Sequence, residues 1–269
     1  MWGYTRDRGL GWREVLTPAV TVWAVAAVYA LGLRHPIWQW PRPGIADRWF
    51  VLAAAVTTGV GASTVAHRLV ASFVADLWLG RRFRRLLSPL LERRRTRWEK
   101  AHKLAVDHEH EPCGTGHAAD RNRIALARPR SPTWMGDRSV ALETRIRGEY
   151  DLDLAAAWPR LWLVLPEPSR ADLRAAALEW QDAVAWGAWA VLYALLALAW
   201  WPLVLLALLS WSWGVGRARS AVAKSTDLVE AAVDLYVPEL ARKLLPVSGE
   251  PVVDPAVGRL INTRLRKGG

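Results

Sequence analysis

Four side chains able to bind a transition metal fall within ten residues of one another. They are His108, His110, Cys113 and His117, in the run Asp107-His108-Glu109-His110-Glu111-Pro112-Cys113-Gly114-Thr115-Gly116-His117. Imidazole and thiolate suit zinc or copper. The spacing is neither the His-Glu-x-x-His of a helical zinc site nor a set of paired CxxC motifs. The stretch therefore reads as a solvated polar loop, and these four residues are weak metal candidates. As a nucleophile, Cys113 would need an oriented histidine, and a loop does not hold near-attack geometry. Cys113 is also the only cysteine, which excludes an intrachain disulfide. No phosphate loop, dinucleotide fingerprint, hydrolase elbow or kinase set occurs. The expectation is a protein without catalytic residues or cofactor. A membrane enzyme built on residues 107–117 is a remote alternative.

The second chemistry-bearing stretch is basic. Residues 81–100, RRFRRLLSPLLERRRTRWEK, hold nine basic and two acidic residues. Phe83, Leu86, Leu87, Leu90 and Leu91 recur at helical spacing, giving an amphipathic segment. Beside a membrane span, such a segment binds anionic headgroups at about 1 kcal/mol per basic residue near the surface. Arg81, Arg82, Arg84, Arg85, Arg93, Arg94, Arg95 and Arg97 are the expected lipid-headgroup contacts. A topogenic signal without further role is the plainer reading. Nucleic acid is not an expected partner, because aromatic interleaving and a binding fold are both missing. Only Lys100, Lys103, Lys224, Lys243 and Lys267 are lysines among 36 basic residues. That Arg bias matches GC-rich coding and weakens it as a nucleic-acid signal.

The elements that would position these residues come from the charge pattern. The chain has 269 residues, a formal net charge of +11 and 52% hydrophobic side chains. Residues 15–33, 49–66 and 183–216 contain no Asp, Glu, Lys, Arg or His. Uncharged runs of about 18 residues are the mark of a membrane span. An ordinary cytosolic enzyme, a secreted disulfide scaffold and a disordered tail protein are all excluded. The expected fold is all-α and polytopic, with four transmembrane helices in two hairpins. The N-terminal hairpin, residues 1–79, has spans at about 15–33 and 49–70. A cytoplasmic part follows at 80–178, a second hairpin at 179–218 and a cytoplasmic tail at 219–269. Gly59, Gly61 and Ser63 favour close helix packing. Pro202 divides the 34-residue tract 183–216 into two short spans, the rival being one tilted span. The 18 Trp residues suit membrane interfaces. The basic cluster at 81–100 sets the orientation, with both termini cytoplasmic in a bacterial plasma membrane. The first outside loop carries Arg34, Arg42 and Arg48, so the first span adds nothing to that assignment. A cleaved signal peptide fits less well, since its apolar region is only about 7–15 residues long.

Within the cytoplasmic parts, residues 107–133 lack apolar periodicity and read as a loop. Asp137 to Tyr150 reads as a helix. Asp153 to Ala157 reads as a short one that Pro159 ends. Ser169-Arg170-Ala171-Asp172 reads as a capping box opening the helix into the third span. Residues 217–245 continue the fourth span as a charged helix with a stripe including Val222, Val229 and Val233, and Pro238 begins a new turn. Residues 254–269 set Val257, Leu260, Ile261 and Leu265 against Arg259, Arg264, Arg266 and Lys267, an interfacial membrane helix.

Three stretches together carry a resemblance: residues 132–167, the apolar run ending in Trp200-Trp201-Pro202, and residues 217–245. The chain resembles a group of uncharacterised integral membrane proteins of high-GC Gram-positive bacteria. In that group a Tyr-x-x-Asp…Trp-Pro-Arg-Leu…Leu-Pro cassette precedes the last two spans. The matching positions are Tyr150, Asp153, Trp158, Pro159, Arg160, Leu161, Leu165 and Pro166. Members usually carry Gly-Asn where this chain has Gly136-Asp137, and they often lack the basic cluster in this form. The resemblance implies topology and no activity. The functional expectation is a membrane-anchored scaffold or interaction protein. Its partners are the lipid bilayer and its anionic headgroups, with a cytoplasmic protein or a second copy beside them. An oligomeric pore former is the alternative.

Overall fold

The computed structural model describes residues 65–82, 87–108, 114–198, 201–245 and 254–265, and every regular element among them is a helix. Residues 65–78 belong to α1, followed by α2 (Ser88–Asp107), α3 (Gly114–Ile124), α4 (Trp134–Tyr150) and α5 (Leu154–Val164). Then come α6 (Glu167–Leu196), α7 (Leu203–Leu244) and α8 (Pro255–Leu265). The chain divides into two compact units. Among the described residues the first comprises those within 75–180 and 216–265, and the second those within 65–74 and 181–215.

The first unit is built on α4 and α5. Thr133 caps α4, its hydroxyl accepting from the Gly136 N–H at 3.1 Å. Asp151 ends that helix in the left-handed region, at φ 47°. Asp153 caps α5, its carboxylate accepting from the Ala156 N–H at 3.4 Å. The core gathers Leu142 and Ile146 of α4, and Leu154, Ala157 and Leu161 of α5. Leu173, the face of α7 from Val229 to Ala241, and Ile261 of α8 complete it.

Several expectations are corrected here. Pro159 does not end α5, which runs on to Val164. Leu154, Ala157, Leu161 and Leu165 lie on one buried face, and burying them outweighs the ~3 kcal/mol cost of an interior proline. The helix expected over 217–245 is found in α7, which carries Pro238 inside it between buried Val237 and Leu240. The loop expected at 107–133 contains α3, which packs along α2. Helix α6 opens at Glu167, two residues before the expected cap, with Glu167 pairing to Arg170 and Arg174 at 3.0 and 2.5 Å. Helix α8 turns Ile261, with no exposed surface, into the protein core. Its expected lipid-facing stripe is therefore shared with α4 and α5, and Leu260 alone of the two faces outward.

The described part of the second unit carries few charges and is rich in small residues. Ala183, Ala185, Ala188, Ala190 and Ala207 are buried, as are Val74, Trp189 and Ser210. His67 of α1, 0% exposed, donates from Nε2 to the Ala185 carbonyl at 3.3 Å, and its ring lies 5.0 Å from that of Trp189. A carbonyl only accepts, so Nε2 carries the proton.

The four-span expectation meets a limit here. Most of the spans at 15–33 and 49–70 lies outside the described residues, and so do Gly59, Gly61 and Ser63. Among the described residues no helix is long and apolar enough to cross a membrane. The physical reason is length. The uncharged parts of α6 and α7, residues 183–196 and 203–216, hold 14 residues each. Each rises about 21 Å, against a hydrocarbon core of about 30 Å.

Candidate basic surface and adjoining cavity

Helix α2 sorts its cations by helical phase. Pro89 sits in its first turn, where a missing N–H costs nothing. Arg94 and Arg95 point inward. Arg94 donates to the Ile124 carbonyl at 2.9 Å, and Arg95 to the Pro129 carbonyl at 3.0 Å. Trp98 adds a bond from its indole N–H to the Ala125 carbonyl at 2.9 Å. Together Arg94 and Trp98 satisfy carbonyls that the end of α3 leaves without helical partners. Arg93, Arg97, Lys100 and Lys103 are exposed, and none makes an ion pair among the described residues. Leu90 and Leu104 are exposed on the same helix. Positions 90, 93, 97, 100 and 104 share one face at helical spacing.

The expected headgroup contacts thus divide. Arg93, Arg97 and Arg81 are exposed and unpaired among the described residues, and Arg82 pairs with Asp76 at 3.0 Å. Arg94 and Arg95 are engaged in the fold, and Arg84 and Arg85 lie outside the described residues. Lys100, which the spacing of 93 and 97 signals, and Lys103 join the exposed set.

Arg94 also reaches Asp137 of α4, with Nη2 2.8 Å from Oδ2. The contact is an ion pair without hydrogen-bond alignment, since Oδ2 has no hydrogen-bond donor. The other oxygen, Oδ1, accepts from the backbone N–H groups of Arg130 and Ser131 at 2.8 and 2.5 Å. Asp137 is 6% exposed. Burial pushes its carboxyl above the ordinary range, against the pull of those two N–H groups and of Arg94. Burial likewise draws the Arg94 guanidinium down, against the pull of Asp137. Removing a buried ion from water costs several kcal/mol, so this carboxylate is an expensive way to hold a two-residue loop.

That loop borders a cavity of about 590 Å³. Its lining includes Arg81, Arg130, Ser139 and Glu143, with Leu79, Val140 and Leu154 as apolar surface. Two glycines set the wall. Gly80 has φ +66°, and a Cβ there would lie 2.5 Å from Ser131 Oγ. A Cβ on Gly136 would strike the same hydroxyl and the Leu79 carbonyl. Sequence reasoning missed the cavity, because its walls lie some fifty residues apart in the chain and no local pattern marks them.

Of the metal candidates, His108 and His117 are among the described residues. The His108 and His117 rings lie 5.1 Å apart, and His108 Nδ1 lies 3.0 Å from the Leu104 carbonyl. His110 and Cys113 lie outside the described residues. No group of three His, Cys, Asp or Glu side chains suited to a metal occurs among the described residues.

The cassette positions serve architecture. The Tyr150 hydroxyl donates to Asp234 at 2.9 Å, and burial with that partner pushes its pKa up to about 12. Asp153 caps α5, and its N–H donates to Asn262 at 2.9 Å. Leu161 and Leu165 are core residues. Trp158 and Trp162 pack ring to ring at 6.1 Å. Arg160 bonds its own helix at the Ala156 carbonyl, 3.0 Å away. No family model, curated protein or solved structure matches this chain.

Proposed function

We propose that the protein is a membrane-anchored interaction protein, held by its uncharged tracts in a bacterial plasma membrane. In this reading it makes four crossings, with both termini on the cytoplasmic side. The charged helices present a surface to a cytoplasmic partner. The basic face of α2, with Arg93, Arg97 and Lys100 between Leu90 and Leu104, rests on anionic headgroups.

One observation carries the reading. Between Leu195 and Trp213 most of the described large apolar side chains face outward, with Leu198 88%, Trp201 74% and Leu209 68% exposed. Contiguous apolar surface of this kind marks a membrane or protein contact. The uncharged lengths of α6 and α7 fall short of a full bilayer. Local thinning accommodates short segments at fractions of a kcal/mol per ångström. The test is alkaline carbonate extraction of membranes from expressing cells, followed by ultracentrifugation. The protein is expected in the pellet, and its recovery in the supernatant would overturn the reading.

A further inference from the structure

We propose that the cavity beside the Arg130–Ser131 loop binds a phosphate group carried on a small, partly apolar molecule. At about 590 Å³ it lies within the usual range of small-molecule pockets, roughly 300–1,000 Å³. Arg81 and Arg130 both line it, and neither guanidinium makes an ion pair among the described residues. Two unpaired arginines bordering one cavity suit a tetrahedral anion that accepts several charge-assisted bonds. Glu143, the acidic lining residue, is paired to Arg147 at 3.5 Å. Leu79, Val140 and Leu154 supply apolar surface for a glycerol or short alkyl portion.

The site is built and not merely open. Asp137, nearly without exposure, holds the Arg130 and Ser131 N–H groups from beneath, with Arg94 as its counter-ion. Gly80 and Gly136 bring the opposite wall onto Ser131 without a side chain between. The loop that presents Arg130 is therefore fixed before a ligand arrives, which lowers the ordering cost of binding. Asp137 acts here as a positioning residue. The inference concerns the charged unit alone, so it stands or falls separately from the membrane reading.

The test is calorimetric titration of the full chain in a non-ionic detergent. One probe is dihexanoyl phosphatidate below its critical micelle concentration, and the other is inorganic phosphate. Saturable binding of the phosphatidate is expected. Arg81→Gln and Arg130→Gln, both exposed and outside the core, are each expected to weaken it at least about tenfold, the loss of one charge-assisted contact. Arg123→Gln and Arg242→Gln, exposed arginines elsewhere in the charged unit, are expected to leave it unchanged, which separates a site from general attraction to positive charge. Preference for phosphatidate assigns the site to a lipid-like ligand, and equal affinity for inorganic phosphate assigns it to soluble phosphates. Saturation by neither probe, or unchanged affinity in Arg130→Gln, overturns the proposal.

Discussion

The two units solve the problem of surface in opposite ways. In the charged unit large apolar side chains turn inward around Leu161, Val233 and Ile261, and ions cover the outside. In the described part of the apolar unit alanines line much of the interior beside Val74 and Trp189, while Leu198, Trp201, Leu209 and Trp213 face outward. Water drives the first pattern, since burying Leu or Ile gains about 1.5–3 kcal/mol each. It opposes the second, which suits a surrounding solvent of acyl chains, where helices associate through small residues. Exposure of a leucine therefore means different things in the two units.

The sharpest way to break that contrast uses two leucines of equal exposure. Leu209 of the apolar unit is 68% exposed and Leu235 of the charged unit 69%. The double substitution Leu205→Arg with Leu209→Arg adds about 3 kcal/mol per residue to bilayer transfer. It is expected to move protein from the carbonate pellet to the supernatant. Leu235→Arg is expected to change neither fractionation nor thermal stability by a measurable amount. Equal behaviour of the two variants would erase the distinction between the units.

Next in size is a pair of glycines in the charged unit. A Cβ on Gly258 would run into the Tyr150 backbone carbonyl, which cannot move without shifting the end of α4. Gly258→Ala is expected to lower unfolding free energy by about 2–4 kcal/mol in denaturant titration. Gly148, in the same unit, has open space around the position a methyl would take, with nothing within 4 Å. Gly148→Ala should raise stability by up to about 1 kcal/mol through helix propensity. A loss in both variants would mean that the close contact of α8 is not what Gly258 serves.

The smallest effect is on pH dependence. Tyr150 titrates at about 12 in the fold against 10.0 in a free chain, through burial and its bond to Asp234. A raised folded pKa gives stability that is complete below pH 10 and lost as pH rises toward 12. Tyr150→Phe is expected to have a shallower loss of stability over that window. An unchanged slope would place the hydroxyl in water.

Much of this arrangement is written locally. The 34-residue uncharged tract, its division near Pro202, and the helix from Asp137 to Tyr150 follow from charge and periodicity alone. What was not legible depends on contacts far apart in the chain. Proline at 159 signals a stop, and only the core that buries Leu161 shows why the helix continues. Helix α3 has almost no apolar face, and its end is satisfied by Arg94 and Trp98 of another helix. In the run Arg93-Arg94-Arg95 no local rule says which cation turns inward, because the answer is Asp137, over forty residues on. The candidate surface was visible as composition, and its sorting into structural and free arginines was not.

Ile261 sits in a core whose other members begin at Leu142. During synthesis at roughly 5–20 residues per second, α5 would wait about 5–20 s for the hundred residues that bring α8. Until α7 is made the leucines of α4 and α5 lack most of their cover, and until α8 is made they lack Ile261. A nascent chain in this state exposes apolar surface until the later helices are made.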